Sequence, residues 1–466
     1  MKTPRLPPGA VLGALFVAVS ALAGLSARQP PGHRVVPYLV VHGALVLLCL
    51  GAWLRGRSLP EEVRGRYLGA LVVSGVVARW VLVPVPSFTT TDVERYLWDG
   101  AVALGGWDPY ALPPDSVPLL GLRERFPFPR DHREVATCYP PLAVGLFALA
   151  SATGRHLAFF AWKALVALAG SLSVRFAWDA LRGTPRAADV VLLALSPLLV
   201  LEAGVGGHLD AFSSLAVVVA LWGVHRGRWN VAALAAGAAG AVKLIPGLVV
   251  VPLALRAPRK VWFTALAVVP WALTMGAAQL LGMTPPGSLP QVAQHWSFAA
   301  PLWSALYQRY PEDDERTRLG LAVAGLVGIL LVSLRRSPSK GVRDAFGVGL
   351  VVSPVLYPWY GMPLASAAAF APSAWSLGAL AVLPLSYEVL DGYQARGVWE
   401  PHRWPMHTIT AVFLAGVALD LARALVGLAT RARAGDNGAH ARGAGDGVRA
   451  GSGAGAGEDP AGPHGG

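Results

Sequence analysis

The sequence predicts an all-α polytopic membrane protein, on three observations. Of its 466 residues, 54% are hydrophobic and 14% charged, and the mean hydropathy is positive. Apolar runs of membrane-spanning or near-spanning length recur along the chain. Basic residues collect in short clusters between those runs, where they set orientation, so the net charge of +12 marks topology. No nucleic-acid partner is expected; membrane lipids are. Cys49, in an apolar run, and Cys138, in a polar loop, cannot build a disulfide framework.

The first apolar run, 9–26, follows Lys2 and Arg5 and reads as a retained first helix, because further spans follow it. Spans at 36–54 and 67–86 come next. Arg55, Arg57, Arg64 and Arg66 between them place that loop and the N-terminus in the cytoplasm. Residues 1–86 are thus N-terminal transmembrane helices, and 87–138 is an extracytoplasmic loop. HRGR (225–228), RAPRK (256–260), RRSPSK (335–340) and RAR (431–433) mark further cytoplasmic turns. Within a transmembrane core of 139–433, GGHLD (206–210), the loop 282–317, YPWY (357–360) and the loop 389–405 then face outside. The pattern gives about twelve or thirteen helical segments. Those at 140–152, 231–243 and 244–255 are too short for a straight span at 1.5 Å per residue. Parity fails by one between YPP at 139 and GGHLD, so one short segment does not cross. Residues 434–466, rich in Gly, Ala, Asp, Arg and His without apolar periodicity, read as a disordered cytoplasmic tail.

The outer loop opens on TTTDVERYLWDG, residues 89–100. At 100° per residue, Asp92, Tyr96 and Asp99 fall within about 60° of one another, with Arg95 beside them. One short interfacial helix can therefore present two carboxylates, a phenol and a guanidinium to a single target. Ionisable groups at membrane depth are functional candidates by default. Two stand out: Asp210, preceded by Glu202 and the helix-breaking GVGGH, and Lys243 in AAGAAGAVKLIP, just before Pro246. Irregular backbone at such depth is tolerated where it lines a wet cavity. Arg79, about two turns from the end of its span, reads as a snorkelling residue.

RYLWDG, then GGWDPY, PPDS, LRER, CYPPLAVGLFALAS, AFFAWKALVAL, LSPLLVLEAGVGGHLDA and AGAVKLIPGLVVVPL follow one another between residue 88 and about residue 260. In that order they resemble the polyprenyl-phosphate-mannose-dependent mannosyltransferases of the GT-C superclass. SPVLYPWY, 353–360, is similar to that family's pattern near its C-terminal helices. The chain departs from it twice: Thr91 and Asp92 stand where an acidic pair is usual, and the GHND-like motif is GHLD, with Leu209 at the amide position. The resemblance implies a GT-C-like fold, a lipid-phosphate-linked sugar donor and a site at the large first extracytoplasmic loop. It also implies an acidic residue there as catalytic base.

Moving a sugar from a lipid phosphate to a hydroxyl requires a base at the incoming hydroxyl and cations on the departing phosphate. For an inverting displacement the candidate catalytic residues are Asp92 as base and Asp99 as a second, orienting carboxylate. Asp92 has a plainer reading as the N-cap after three threonines. Lys243 and Arg95 are the donor-phosphate candidates. Tyr96, Tyr139, Trp359 and Tyr360 can stack on a sugar or line a lipid groove, and His208, Asp210 and His295 can hydrogen-bond substrate. The histidines lack metal-ligand spacing, so no metal and no other cofactor is expected. The acceptor is expected to be a cell-envelope glycan or glycolipid, and the membrane the plasma membrane. The alternative is a transporter or flippase of a polyprenyl-linked or small polar substrate, to which broken helices around a buried lysine would equally belong.

Overall fold

A computed structural model describes residues 9–446, and among them there is no strand, only an isolated parallel bridge between Phe298 and Val355. The chain is a helical bundle. Six described helices are long and apolar enough to cross a membrane: Ala10–Arg28 (α1), Val35–Ser58 (α2), Ala158–Leu181, Lys260–Leu280, Pro311–Leu334 and Trp404–Gly427. A bent pair, Ala187–Ala194 with Pro197–Gly206, makes a seventh if counted as one span. Glu61–Val81 (α3) packs beside α1. Pro141–Ser151, Trp229–Val242 and Ile245–Arg256 are apolar but short, as the sequence predicts, and Asp210–His225 is a fourth such helix that it does not single out. The last helix continues to Asp446, into the stretch read as a tail; residues 447–466 of that stretch lie outside the described residues.

Hydrogen bonds between distant loops define the two ends of the bundle. At one end Asp391 accepts from the Arg34 amide (3.0 Å), Tyr393 donates to Asp131 (2.9 Å), and Thr284 Oγ1 donates to Asp108 (2.6 Å). The loops 29–34, 87–138, 282–317 and the segment after 388 therefore share that end. At the other end, where α2 arrives with its arginines, Trp53 Nε1 donates to Asp189 (2.9 Å) and Arg226 pairs with Asp179 (2.9 Å). Arg256 there donates to the Leu334 carbonyl.

The missing crossing is Pro141–Ser151. It lies along the first-loop helix Asp92–Leu104 (α4) throughout: a Cβ on Gly100 would stand 2.4 Å from the Phe147 backbone, and Ser151 Oγ donates to the Leu97 carbonyl (2.8 Å). The following helix begins at the same end, where Trp162 Nε1 donates to the Gly207 carbonyl (2.7 Å). Both ends of the short helix are thus on the side of the loop, which restores the parity.

Arg79 does not snorkel; it is 1% exposed, inside the bundle. The break before Pro197 leaves helix-end carbonyls without amide partners, and a guanidinium has enough donors to satisfy them. Arg79 donates to Leu193 (2.9 Å), Ala194 (2.7 Å) and, on its own helix, Gly75 (2.7 Å). Gly75 permits the approach, since a Cβ there would lie 2.2 Å from the Ala194 oxygen.

Candidate functional site

Thr91 caps α4 through no side-chain bond, and Asp92 is the first helical residue, so its carboxylate is free for tertiary contacts. Both contacts fall on one oxygen. Tyr96, one turn on, donates its hydroxyl to Asp92 Oδ2 (3.1 Å), and His208 Nδ1 lies 3.5 Å from the same atom. The carboxylate keeps 29% of its side-chain surface exposed. Burial alone would raise its pKa, but the nearby His208, the charge of Lys243 and the Tyr96 hydroxyl outweigh that and hold it below the usual carboxylate value. The result is an ionised carboxylate with one oxygen held.

The glycines of GVGGH bring His208 there. Residues Glu202–Gly206 form a π-helical turn, a form common at functional sites. Gly207 follows at φ +68°, where a Cβ would also meet Val93 (3.0 Å) and Lys163 (3.1 Å). The chain thereby turns back, and the fully buried His208 ring stacks on Trp359 (centroids 4.0 Å apart, planes 16° apart). Its second nitrogen, Nε2, lies 3.3 Å from Glu202. Trp359 stacks on Tyr357 (4.4 Å), and Tyr357 on Phe298 of the 282–317 loop (4.6 Å). The column ties that loop to the histidine.

Lys243 follows the end of Trp229–Val242, where the chain leaves the helix before the turn Ile245–Val249. Its ammonium pairs with both oxygens of the buried Asp210 (3.0 and 2.8 Å) and sits 4.3 Å from the centre of the Tyr360 ring. Tyr96 stacks on Phe147 (4.6 Å) and meets Tyr139 edge-on (5.3 Å). Asp92, Tyr96, Tyr139, His208, Asp210, Lys243, Trp359 and Tyr360 are therefore brought into one linked cluster. Among the described residues, no three His, Cys, Asp or Glu side chains converge to hold a metal ion.

The first-loop helix does not turn all its polar side chains toward one target. Asp92 and Asp99 share a helical stripe but stand about 10 Å apart along the axis, so they meet different neighbours. Asp99 is 2% exposed and pairs with Arg95 (2.8 Å). Burial pushes its carboxyl above the usual carboxylate value despite that partner. The remaining Arg95 nitrogens donate to the His132 (3.0 Å) and Val135 (2.8 Å) carbonyls, tying the loop to the helix. Arg95→Met is accordingly expected to lower thermal stability and leave donor affinity unchanged, because it strands a buried carboxylate and two carbonyls. Unchanged stability with weakened donor binding would return Arg95 to the phosphate. His295 is not brought to the cluster either; it is exposed, with Nδ1 turned back to the Gln291 carbonyl (2.9 Å).

Two buried ionisable groups complete the surroundings. Glu202 is fully buried and accepts hydroxyls from Tyr38 (3.2 Å) and Tyr387 (2.6 Å). Lys163, 1% exposed, donates to the Gly204, Val205 and Val85 carbonyls and so satisfies the backbone that the π-helical turn leaves open. Both stand in apolar runs; Glu202 is noted in the sequence beside Asp210, and the rule that singled out Lys243 would also have found Lys163. Tyr38 and Tyr387 carry no such signal.

The fold is that of an integral membrane protein, with an acid, histidine and lysine cluster under the loops at one end of a helical bundle. Residues 8–259, more than half of the chain, match the alpha-(1->6)-mannopyranosyltransferase N-terminal domain of the MptA_B family, and the chain belongs to that family. It is a mannosyltransferase, as the resemblance implied, rather than a transporter. No curated protein and no solved structure gives a significant match.

Proposed function

We propose that the protein transfers mannose from a polyprenyl-phosphate-linked donor to a hydroxyl of a cell-envelope glycan or glycolipid, by inverting displacement on the extracytoplasmic face of the plasma membrane. The observation that carries this reading is the asymmetry of Asp92. Tyr96 and His208 engage Oδ2, which leaves Oδ1 to take a proton. The acceptor oxygen attacks the anomeric carbon as its proton passes to Oδ1. The bond from that carbon to the phosphate oxygen breaks, and polyprenyl phosphate departs with the electron pair. Lys243, 17% exposed at the edge of its pair with Asp210, meets the growing negative charge. Tyr139 and Tyr360 line the sugar's side of the cluster. An inverting displacement that yields an alpha linkage needs a donor of the opposite anomeric configuration, which suits a beta-linked lipid phosphate.

The arginine clusters near 55–66, 182–186, 225–228 and 256–260 gather at the far end of the bundle, and the positive-inside rule puts that end in the cytoplasm. The Asp92 end then faces outside, where lipid-linked sugars are the available donors. Purified protein given radiolabelled polyprenyl-phosphate mannose and a cell-envelope extract is expected to label a glycan or glycolipid. Single cysteines at 115 and 291 are expected to react from outside, and those at 258 and 338 from inside. Use of a nucleotide sugar with none of the lipid-linked donor, or labelling of position 115 from the cytoplasm, would overturn the reading.

A further inference from the structure

We propose that Glu202 is a positioning residue for the transfer: acting through His208, it fixes which oxygen of Asp92 accepts the acceptor's proton. The inference rests on Asp92 as the base and adds a residue that touches no substrate. A carboxylate taken out of water needs donors, and Glu202 is met from three separate elements. Tyr38 comes from α2, Tyr387 from the turn Leu383–Tyr387, and His208 from beyond the π-helical turn. The two phenols fix the carboxylate's plane and aim Oε2 at the histidine.

The His208 ring in turn has little freedom. Trp359 covers one face, and each ring nitrogen looks at a carboxylate, Nε2 at Glu202 and Nδ1 at Asp92. A neutral imidazole carries one N–H and one lone pair, so it would turn a lone pair toward one of those carboxylates. The doubly protonated ring suits both. Glu202 therefore supplies the charge that keeps the ring protonated, and the charged ring, with Nδ1 3.5 Å from Asp92 Oδ2, draws that oxygen by charge, since neither ring nitrogen makes a hydrogen bond. With Oδ2 held, Oδ1 keeps its direction toward the acceptor. Deleting the charge on Glu202 releases the ring's second proton, so Asp92 no longer faces a positive charge at Oδ2 and keeps the Tyr96 hydroxyl as its hydrogen-bond donor.

The test uses Glu202→Gln in the full-length protein, with kcat and donor KM measured across pH beside thermal stability. Asp92 works ionised, so activity falls as pH drops through its pKa, and the charged histidine keeps that pKa low. Losing the charge moves the loss of activity to higher pH. The other groups facing these residues, Tyr96 and Lys243 at Asp92 and Tyr38, Tyr387 and His42 at Glu202, are unchanged in the variant. The expected result is a kcat about 10- to 100-fold lower, an unchanged donor KM and an acid limb displaced upward. A folded variant with wild-type kcat, or with a lower kcat and an unmoved acid limb, overturns the proposal. If Glu202→Gln does not fold, Tyr387→Phe keeps the charge and removes one of the two donors that fix the carboxylate's plane; it is expected to lower kcat several-fold with the donor KM and the acid limb unmoved, and a wild-type kcat overturns the proposal. Asp92→Asn is measured alongside. Near-normal turnover there removes the base assignment itself, whereas collapse there with wild-type behaviour in Glu202→Gln rejects the role of Glu202 alone.

Discussion

Asp92→Asn is expected to lower turnover by about 10² or more while the protein folds and binds donor as before. The amide has the shape of the carboxylate, and its oxygen can still accept from Tyr96 and face His208 at the Oδ2 position. That leaves the amide nitrogen where Oδ1 stood, a donor in the place of the proton acceptor. The substitution removes the chemistry and keeps the scaffold. The N-cap reading predicts a different pattern, because Asn caps about as well as Asp and only Asp92→Ala would lose about 1 kcal/mol. Since Thr91 occupies the cap position, Asp92→Ala is expected to cut turnover as deeply as Asp92→Asn. Asp99→Asn, which touches the loop tie, is expected to do less to turnover. Near-normal turnover in Asp92→Asn would sink the assignment.

The second large effect is at Lys243. Lys243→Met strands Asp210, 2% exposed at its side chain, as an uncompensated buried charge, and a loss of about 3–5 kcal/mol in stability is expected. Donor use is expected to fall too, and more than in Lys243→Arg, where a positive charge remains. These two consequences can be separated. In the double variant Lys243→Met with Asp210→Asn the buried charge is gone, so stability should recover while donor affinity stays low. Wild-type donor affinity in that double variant would show that Lys243 serves Asp210 and not the phosphate.

The membrane class was legible in apolar length, and the failed parity showed that a short segment was out of step without saying which. Asp92, His208 and Lys243 were legible because a polar residue in a greasy chain stands out. What could not be read was direction. Helical spacing placed Asp92 and Asp99 on one stripe, but it does not say that Val93 and Leu97 bury the flanks and send the two acids to different neighbours. Arg79 looked free to reach water because its helix was visible in the sequence and the carbonyls of Leu193 and Ala194, more than a hundred positions away, were not. Glu202 was visible as a residue; the two tyrosines that make it a fixed acceptor come from opposite ends of the chain.

That last arrangement extends to the cluster as a whole. Asp92, Lys163, Glu202, His208, Asp210 and Lys243 all lie within residues 8–259, the matched domain, whereas Tyr357, Trp359, Tyr360 and Tyr387 come after it. The first part of the chain holds every carboxylate, histidine and lysine that pairs in the cluster, and the second lays flat rings over His208 and beside Lys243 and adds the Tyr387 hydroxyl on Glu202. Reactivity and fit are thus inherited from different stretches of one polypeptide. A change in the second stretch away from Trp359 and Tyr387 would alter the shape of molecule accepted and leave the acids, histidine and lysines of the first where they are.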